Sequence, residues 1–149
     1  MSSVRKNKRF TMKVVLAIVF FMTISVAGIV SGVYDIVFGL KSRYWPNETG
    51  TIHTILHGIK WSGATVFYGY WVDGKYYKKH NIGYGKTIRT KRKAKKLYPV
   101  GSSVTVYYDS DKPSRSVLEP GYHILGLGQI IGGLAMGGLG LLGIWLYKR

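Results

Sequence analysis

Two long stretches of this chain carry almost no charge, and they constrain its fold more than any other feature. Residues 14–40 hold 27 residues with one charge, Asp35. As a helix rising 1.5 Å per residue, that stretch is about 40 Å long, against a bilayer hydrocarbon core of about 30 Å. Residues 122–147 hold 26 residues with no Asp, Glu, Lys or Arg and one amide, Gln129. Soluble core helices are seldom so long and so apolar, so both stretches read as transmembrane helices. The chain then divides into a basic tail (1–13), a first span (14–40), a polar domain (41–121), a second span (122–147) and a short end (148–149).

The first span follows Arg5, Lys6, Lys8, Arg9 and Lys13, a basic region like that of a signal peptide. Ser25-Val26-Ala27 offers the small residues of a cleavage site, but the apolar run continues to Leu40. A signal h-region is shorter, so an uncleaved signal anchor is the better reading. Orientation follows from Lys and Arg near the spans, because long loops cross largely regardless of charge. The tails hold seven such residues; the loop side holds Lys41, Arg43, Lys112 and Arg115. This predicts an integral membrane protein with both termini cytoplasmic and the middle domain outside.

Small residues line both spans. Ser25, Gly28, Gly32, Asp35 and Gly39 recur every three or four positions, which is one helical stripe. Gly126, Gly133, Gly137 and Gly140 form a second stripe, and Gly128–Gly132 is a further GxxxG pair. Glycine lets two helix backbones approach closely, and packing supplies the association energy. The simplest expectation is that the spans pack on each other as a hairpin; the alternative is an oligomeric interface. Asp35, five residues before Leu40, is expected to reach the membrane surface and pair with Lys41 or Arg43.

The middle domain has a different texture, of short β-type runs broken by turn residues. Thr51–Trp61 is a predicted strand, stopped at Ser62-Gly63. Thr65–Val72 and Lys75–Ile82 are two more, joined by Asp73-Gly74, a strong hairpin signal. Pairing about that turn sets Trp71 opposite Tyr76, Phe67 near His80, and Tyr70 opposite Tyr77 on the other face. The basic run from Lys86 to Lys96 reads as a short helix, with Thr90, Ala94 and Leu97 packing inward. Ser103–Tyr108 and Ser114–Leu118 are the last strands, with a turn at Asp109–Pro113. Tyr107 and Tyr108 should point to opposite faces, one to the core. The predicted class is an α+β membrane protein: two transmembrane helices flanking a small antiparallel β domain, a sheet or partly open barrel, with one short basic helix.

Several of these residues together resemble a two-span membrane family catalogued as domain of unknown function 3592. They are Trp45-Pro46, Gly50-Thr51-Ile52, Val72 through Tyr77, Tyr98-Pro99-Val100-Gly101, Val104 through Asp109, Pro113 and Val117 through Gly121. The specific part runs from Tyr98 to Gly121. Ser110 departs from the family, which more often has proline there. The resemblance implies an architecture and brings no activity, cofactor or catalytic residue. Physical chemistry gives the same residues turn and sheet roles: Gly74 and Gly101 for unusual backbone angles, Pro99 to start a turn, Asp109 to bond its own turn backbone.

Chemistry has little to work with. There is no cysteine, so disulfides, thiolate metal sites and cysteine nucleophiles are excluded. His53 and His57 lie four apart on a strand, about 13 Å, too far to ligate one ion. His80 has no carboxylate pattern with it. No serine elbow or phosphate-binding loop occurs, and the chain has only six carboxylates. The expectation is no enzyme, no metal and no cofactor. The sharpest feature is basic. The chain carries 22 Lys and Arg against six acids, net +16. Lys86, Arg89, Lys91, Arg92, Lys93, Lys95 and Lys96 fall within 11 residues. Besides a solvated face, they suit an anionic surface, lipid or wall polymer. Nucleic acid would require a cytoplasmic loop, which the flanking charge disfavours.

The sequence therefore points to a membrane-anchored, non-enzymatic interaction module whose β domain contacts an envelope component or a membrane partner. A structural subunit or homo-oligomer joined through the glycine-rich spans is the second reading. A cytoplasmic-side binder of anionic lipid or nucleic acid is the third.

Overall fold

The structure, a computed structural model, describes residues 2–57 and 63–148, with side chains for 12–56 and 63–146. The predicted strand continuation to Trp61 and its stop at Ser62 lie outside the described residues, as do the side chains of residues 1–11 of the basic tail and of His57. The elements in chain order are α1 (Ser2–Ser42), β1 (Asn47–His57), β2 (Ala64–Val72), β3 (Lys75–Lys79), α2 (Lys91–Leu97), β4 (Ser103–Asp109), β5 (Lys112–Val117) and α3 (Leu125–Lys148). The chain forms two compact units. One takes residues up to Val33 and from Leu127 onward; the other is Tyr34–Gly126.

The first unit is a helix pair. Met12–Ser42 of α1 and Leu125–Leu146 of α3 are long and apolar enough to cross a membrane. Small residues set their contact within this unit. Ser25 Oγ donates to the Gly133 carbonyl at 2.6 Å. A side chain at Gly133 would collide with Ile29 and the Ser25 carbonyl, so glycine is needed for the approach. Gly28 lies against Gln129 and Gly133, Gly137 against Ser25, and Gly140 against Met22 and Phe21.

The second unit begins with the last turns of α1. Ser42 is fully buried; its hydroxyl donates to the Gly39 carbonyl and accepts from the Gly121 amide at 2.9 Å. Pro46 follows after one tight turn and cannot continue a helix. The β domain is one antiparallel sheet in the order β3-β2-β1-β4-β5. It curls until nearly closed: Tyr68 and Tyr70 of β2 both bond to β5 residues from inside it. Ile52, Val66, Tyr68, Tyr70 and Val106 are almost wholly buried there.

The β2–β3 hairpin has the predicted register, with Trp71 opposite Tyr76 and Tyr70 opposite Tyr77. Asp73 and Gly74 both have positive φ, 49° and 75°, the geometry whose twist matches paired strands. Phe67 and His80 meet at 5.4 Å between ring centroids. Several predicted bounds change. β1 starts at Asn47, four residues before the predicted Thr51, because Asn47 through Gly50 already pair with β4. β3 ends at Lys79 instead of Ile82, because the chain turns inward and Ile82 joins the core. β5 starts at Lys112 and carries Pro113 within it, tolerated on an edge strand where the missing N–H faces no ladder partner. The basic helix is only Lys91–Leu97. Ile88 pairs with Ala64 in an isolated bridge and is buried, so the backbone before Thr90 is extended.

Candidate functional site

The Tyr98–Gly121 stretch is where the fold is tied together. Gly101, at φ 83°, donates its amide to the Ile52 carbonyl at 2.8 Å. The Tyr98 hydroxyl donates to Glu119 at 2.5 Å, and the other oxygen of that carboxylate meets the Lys86 ammonium. The amides of Leu118 and Glu119 both donate to the Ile82 carbonyl. Asp109 accepts from the Asp111 amide at 3.1 Å and holds Arg115 at 2.7 Å. These contacts tie the loop before β4 to β1, the segment after β5 to Ile82 and Lys86, and β4 to β5.

The two sides of the sheet differ. On the inner side, the Tyr68 hydroxyl donates to the Asn81 carbonyl at 2.8 Å and lies 3.0 Å from Ser116 Oγ. Burial pushes the phenols of Tyr68, Tyr70, Tyr84 and Tyr98 above the ordinary tyrosine range. On the outer side, Trp71 is 59% exposed and packs on Tyr76, with ring centroids 5.2 Å apart. The β1 bulge between Ile52 and Thr54 places His53 beside the Tyr76 hydroxyl. Gly69 leaves the room that the Tyr76 and His53 rings occupy. Tyr107 and Tyr108 are both half-buried, a softer division than alternation predicts, because β4 lies next to the edge strand β5.

The seven predicted anion-contacting residues do not share one helical face. Lys86 and Arg89 precede α2. Lys86 faces Glu119, and burial, then Lys93, holds its ammonium below the usual lysine range even beside that carboxylate. Lys91, Arg92, Lys93, Lys95 and Lys96 lie on α2 and are exposed. Thr90 does not pack inward; it caps the helix, accepting from the Lys93 amide at 3.2 Å. Leu97 is exposed as well, leaving Ala94 alone to dock on the core. No acidic residue lies in the first turn, where Lys91, Arg92 and Lys93 oppose the helix dipole. Among the described residues, none of the α2 cations forms an ion pair. The signal that separates Lys86 from the rest was present in the sequence: Thr90 as a cap and Ile88 as an apolar residue inside the basic run.

Of the predicted helix-packing residues, Ser25, Gly28, Gly133, Gly137 and Gly140 come together in the first unit, and Gly32 is buried. Gly126 belongs to the second unit, where its amide approaches Gly85. Gly128 and Gly132 have open space around them. Asp35 makes no ion pair among the described residues. Its carboxylate lies near Gly85, while Arg43 turns toward Gly121. Among the described residues, no three of His, Asp and Glu gather as metal ligands would.

These observations define a class: a small, nearly closed antiparallel β domain flanked in sequence by two long apolar helices, with a short cationic helix on its core. Residues 48–123 match the family described as domain of unknown function (DUF3592), and the chain belongs to that family. No curated protein and no solved structure matches the chain.

Proposed function

We propose that this protein is a membrane-anchored, non-enzymatic interaction module. In this reading α1 and α3 cross the bilayer, both termini are cytoplasmic, and the β domain stands outside, where α2 meets an anionic component of the envelope. The observation that carries it is α2 itself. Five of its seven residues are cationic, exposed and without an ion pair among the described residues. Such a helix repels itself, and a polyanion relieves that repulsion. The aromatic outer face around Trp71 is a separate surface, because Ala94 docks α2 on the inner core.

Sidedness is the first test, and the absence of cysteine makes it clean. A single cysteine replacing Lys93 should react with a membrane-impermeant thiol reagent in intact cells. Labelling only after lysis would reverse the topology and make cytoplasmic lipid or nucleic acid the leading partner. Replacing Lys91, Lys93 and Lys96 together with Gln should then abolish salt-sensitive retention on an immobilised anionic wall polymer; unchanged retention would sink the contact.

One observation favours the structural-subunit reading. Gly128 and Gly132 face open space and form a GxxxG pair. If that pair assembles copies, changing both to Ile should convert a larger species to a smaller one on a native gel. An unchanged band would remove the reading.

A further inference from the structure

A cleft of about 400 Å³ opens at the end of α1, within the second unit. Its walls come from Phe38 and Lys41 on the last turns of the helix, Tyr44 and Trp45 just after it, and the Asp109–Lys112 turn with Arg115. Arg115 is held on two sides: Asp109 pairs with it at 2.7 Å, and its guanidinium lies 4.3 Å over the Phe38 ring. Asp109 is thereby used. Lys41 lies 5.6 Å over the same ring. Lys112 and the Asp111 carboxylate have no ion pair among the described residues. Tyr44 is 90% exposed. Among the described residues the cleft thus offers two cations and one carboxylate without an ion pair, and an aromatic rim.

Its place in the sequence matters as much as its chemistry. Lys41 closes the apolar run of α1, and Tyr44 and Trp45 follow directly. Aromatic side chains and lysines just beyond a span sit at head-group level. On the reading that α1 crosses the membrane, on which this inference rests, the cleft opens among lipid head groups. A purely anionic head group would meet the Lys41 and Lys112 ammoniums but also the unpaired Asp111. A head group with a phosphate and an ammonium satisfies both signs, and Tyr44 and Trp45 favour the cation.

We propose that this cleft is a binding site for a zwitterionic phospholipid, its phosphate taken by Lys41 and Lys112 and its ammonium by Asp111. The site would fix the β domain against one leaflet.

The test uses the full-length chain in detergent at about 0.15 M salt, where long-range attraction to its net charge is screened. Lipid retention is followed by native mass spectrometry. Phosphatidylethanolamine should bind about tenfold more tightly than phosphatidylglycerol, and Lys112→Gln or Asp111→Asn should each weaken it about tenfold, the scale of one charge-assisted hydrogen bond. Asp111→Asn should at the same time strengthen phosphatidylglycerol binding. Both side chains are exposed and outside the core, and Lys78→Gln on β3, an exposed cation outside both proposed contacts, serves as a control that leaves both affinities unchanged. Equal or tighter phosphatidylglycerol binding, or an Asp111→Asn variant that keeps phosphatidylethanolamine, overturns the proposal. Competition by free phosphoethanolamine as strong as by the lipid overturns the lipid source and assigns the cleft to a soluble compound. Release of the chain from membranes by alkaline carbonate overturns the membrane reading itself, a failure that reads out separately from head-group selectivity.

Discussion

The helix pair and the β domain solve the same problem by opposite means. In the helix pair, backbone polar groups are satisfied within each helix, and contact depends on what is absent: side chains at Gly28, Gly133 and Gly137. In the β domain, contact depends on what is present. Tyr68 and Tyr70 fill the curl of the sheet and use their hydroxyls to bond the far strand. The first arrangement suits lipid, where apolar side chains gain little by meeting each other. The second suits water, where burying a large ring is the main gain and its hydroxyl must find a partner. The difference teaches where each unit is vulnerable: the helix pair to added bulk, the β domain to lost volume and to ionisation of its phenols.

Alkali should separate the two units most widely. Burial raises the phenols of Tyr68, Tyr70, Tyr84 and Tyr98 above the ordinary tyrosine value of about 10. Their folded-state values exceed the unfolded ones, so the stability they contribute is complete below pH 10 and is lost as pH climbs beyond it. Lys86 works in the other direction: its folded value is lowered, so raising pH toward 10.5 removes a cost. That is one group against four. Near-ultraviolet circular dichroism should report loss of the β domain above pH 10 while the far-ultraviolet helical signal persists. Simultaneous loss of both signals would break the comparison. Next in size is Ile52→Ala. Ile52 is 1% exposed in the core, and truncation should cost about 2–5 kcal/mol in the β domain's denaturant unfolding. Gly133→Ile should cost about 1–3 kcal/mol by overpacking against Ile29 and Ser25. It should lower the thermal midpoint of the helical signal in detergent and leave the β signal in place.

The two units were also unequally legible. Residues 14–40 and 122–147 declared long apolar helices through composition alone, and the three-and-four spacing of Ser25, Gly28 and Gly32 declared a face. The β2–β3 hairpin was legible because Asp73-Gly74 fixes both turn and register at once. What the chain order could not disclose was β1 pairing with β4, which closes over β2, β3 and α2 and so depends on the whole core rather than on a local signal. The bulge at His53 was hidden for the same reason. In the basic run, charge spacing suggested one helix from Lys86; Ile88 instead enters the core, and burying an apolar side chain outweighs continuing a helix of mutually repelling lysines. The cleft at Phe38 was invisible as a site, since its walls come from residues about seventy positions apart in the chain.

The smallest expected effect is at Thr90, and it bears on the proposed function more than on stability. A helix of seven residues with three cations in its first turn has an unfavourable charge–dipole arrangement and little length to offset it. What starts it is the Thr90 hydroxyl accepting from the Lys93 amide, and what anchors it is Ala94, 0% exposed. Thr90→Ala removes the cap at a cost of about 1 kcal/mol. The core residues around Ala94 keep their own contacts, so global unfolding of the β domain should move little. Amide hydrogen exchange across residues 91–97 should rise several-fold, and more at low salt than at high, because screening eases the repulsion among Lys91, Arg92 and Lys93. If an added polyanion brings that exchange back down in the variant, the cations of α2 and the anion order one another. Exchange that stays high with polyanion present would mean that α2 is held by Thr90 and Ala94 alone, and that its charge is an ordinary solvated face.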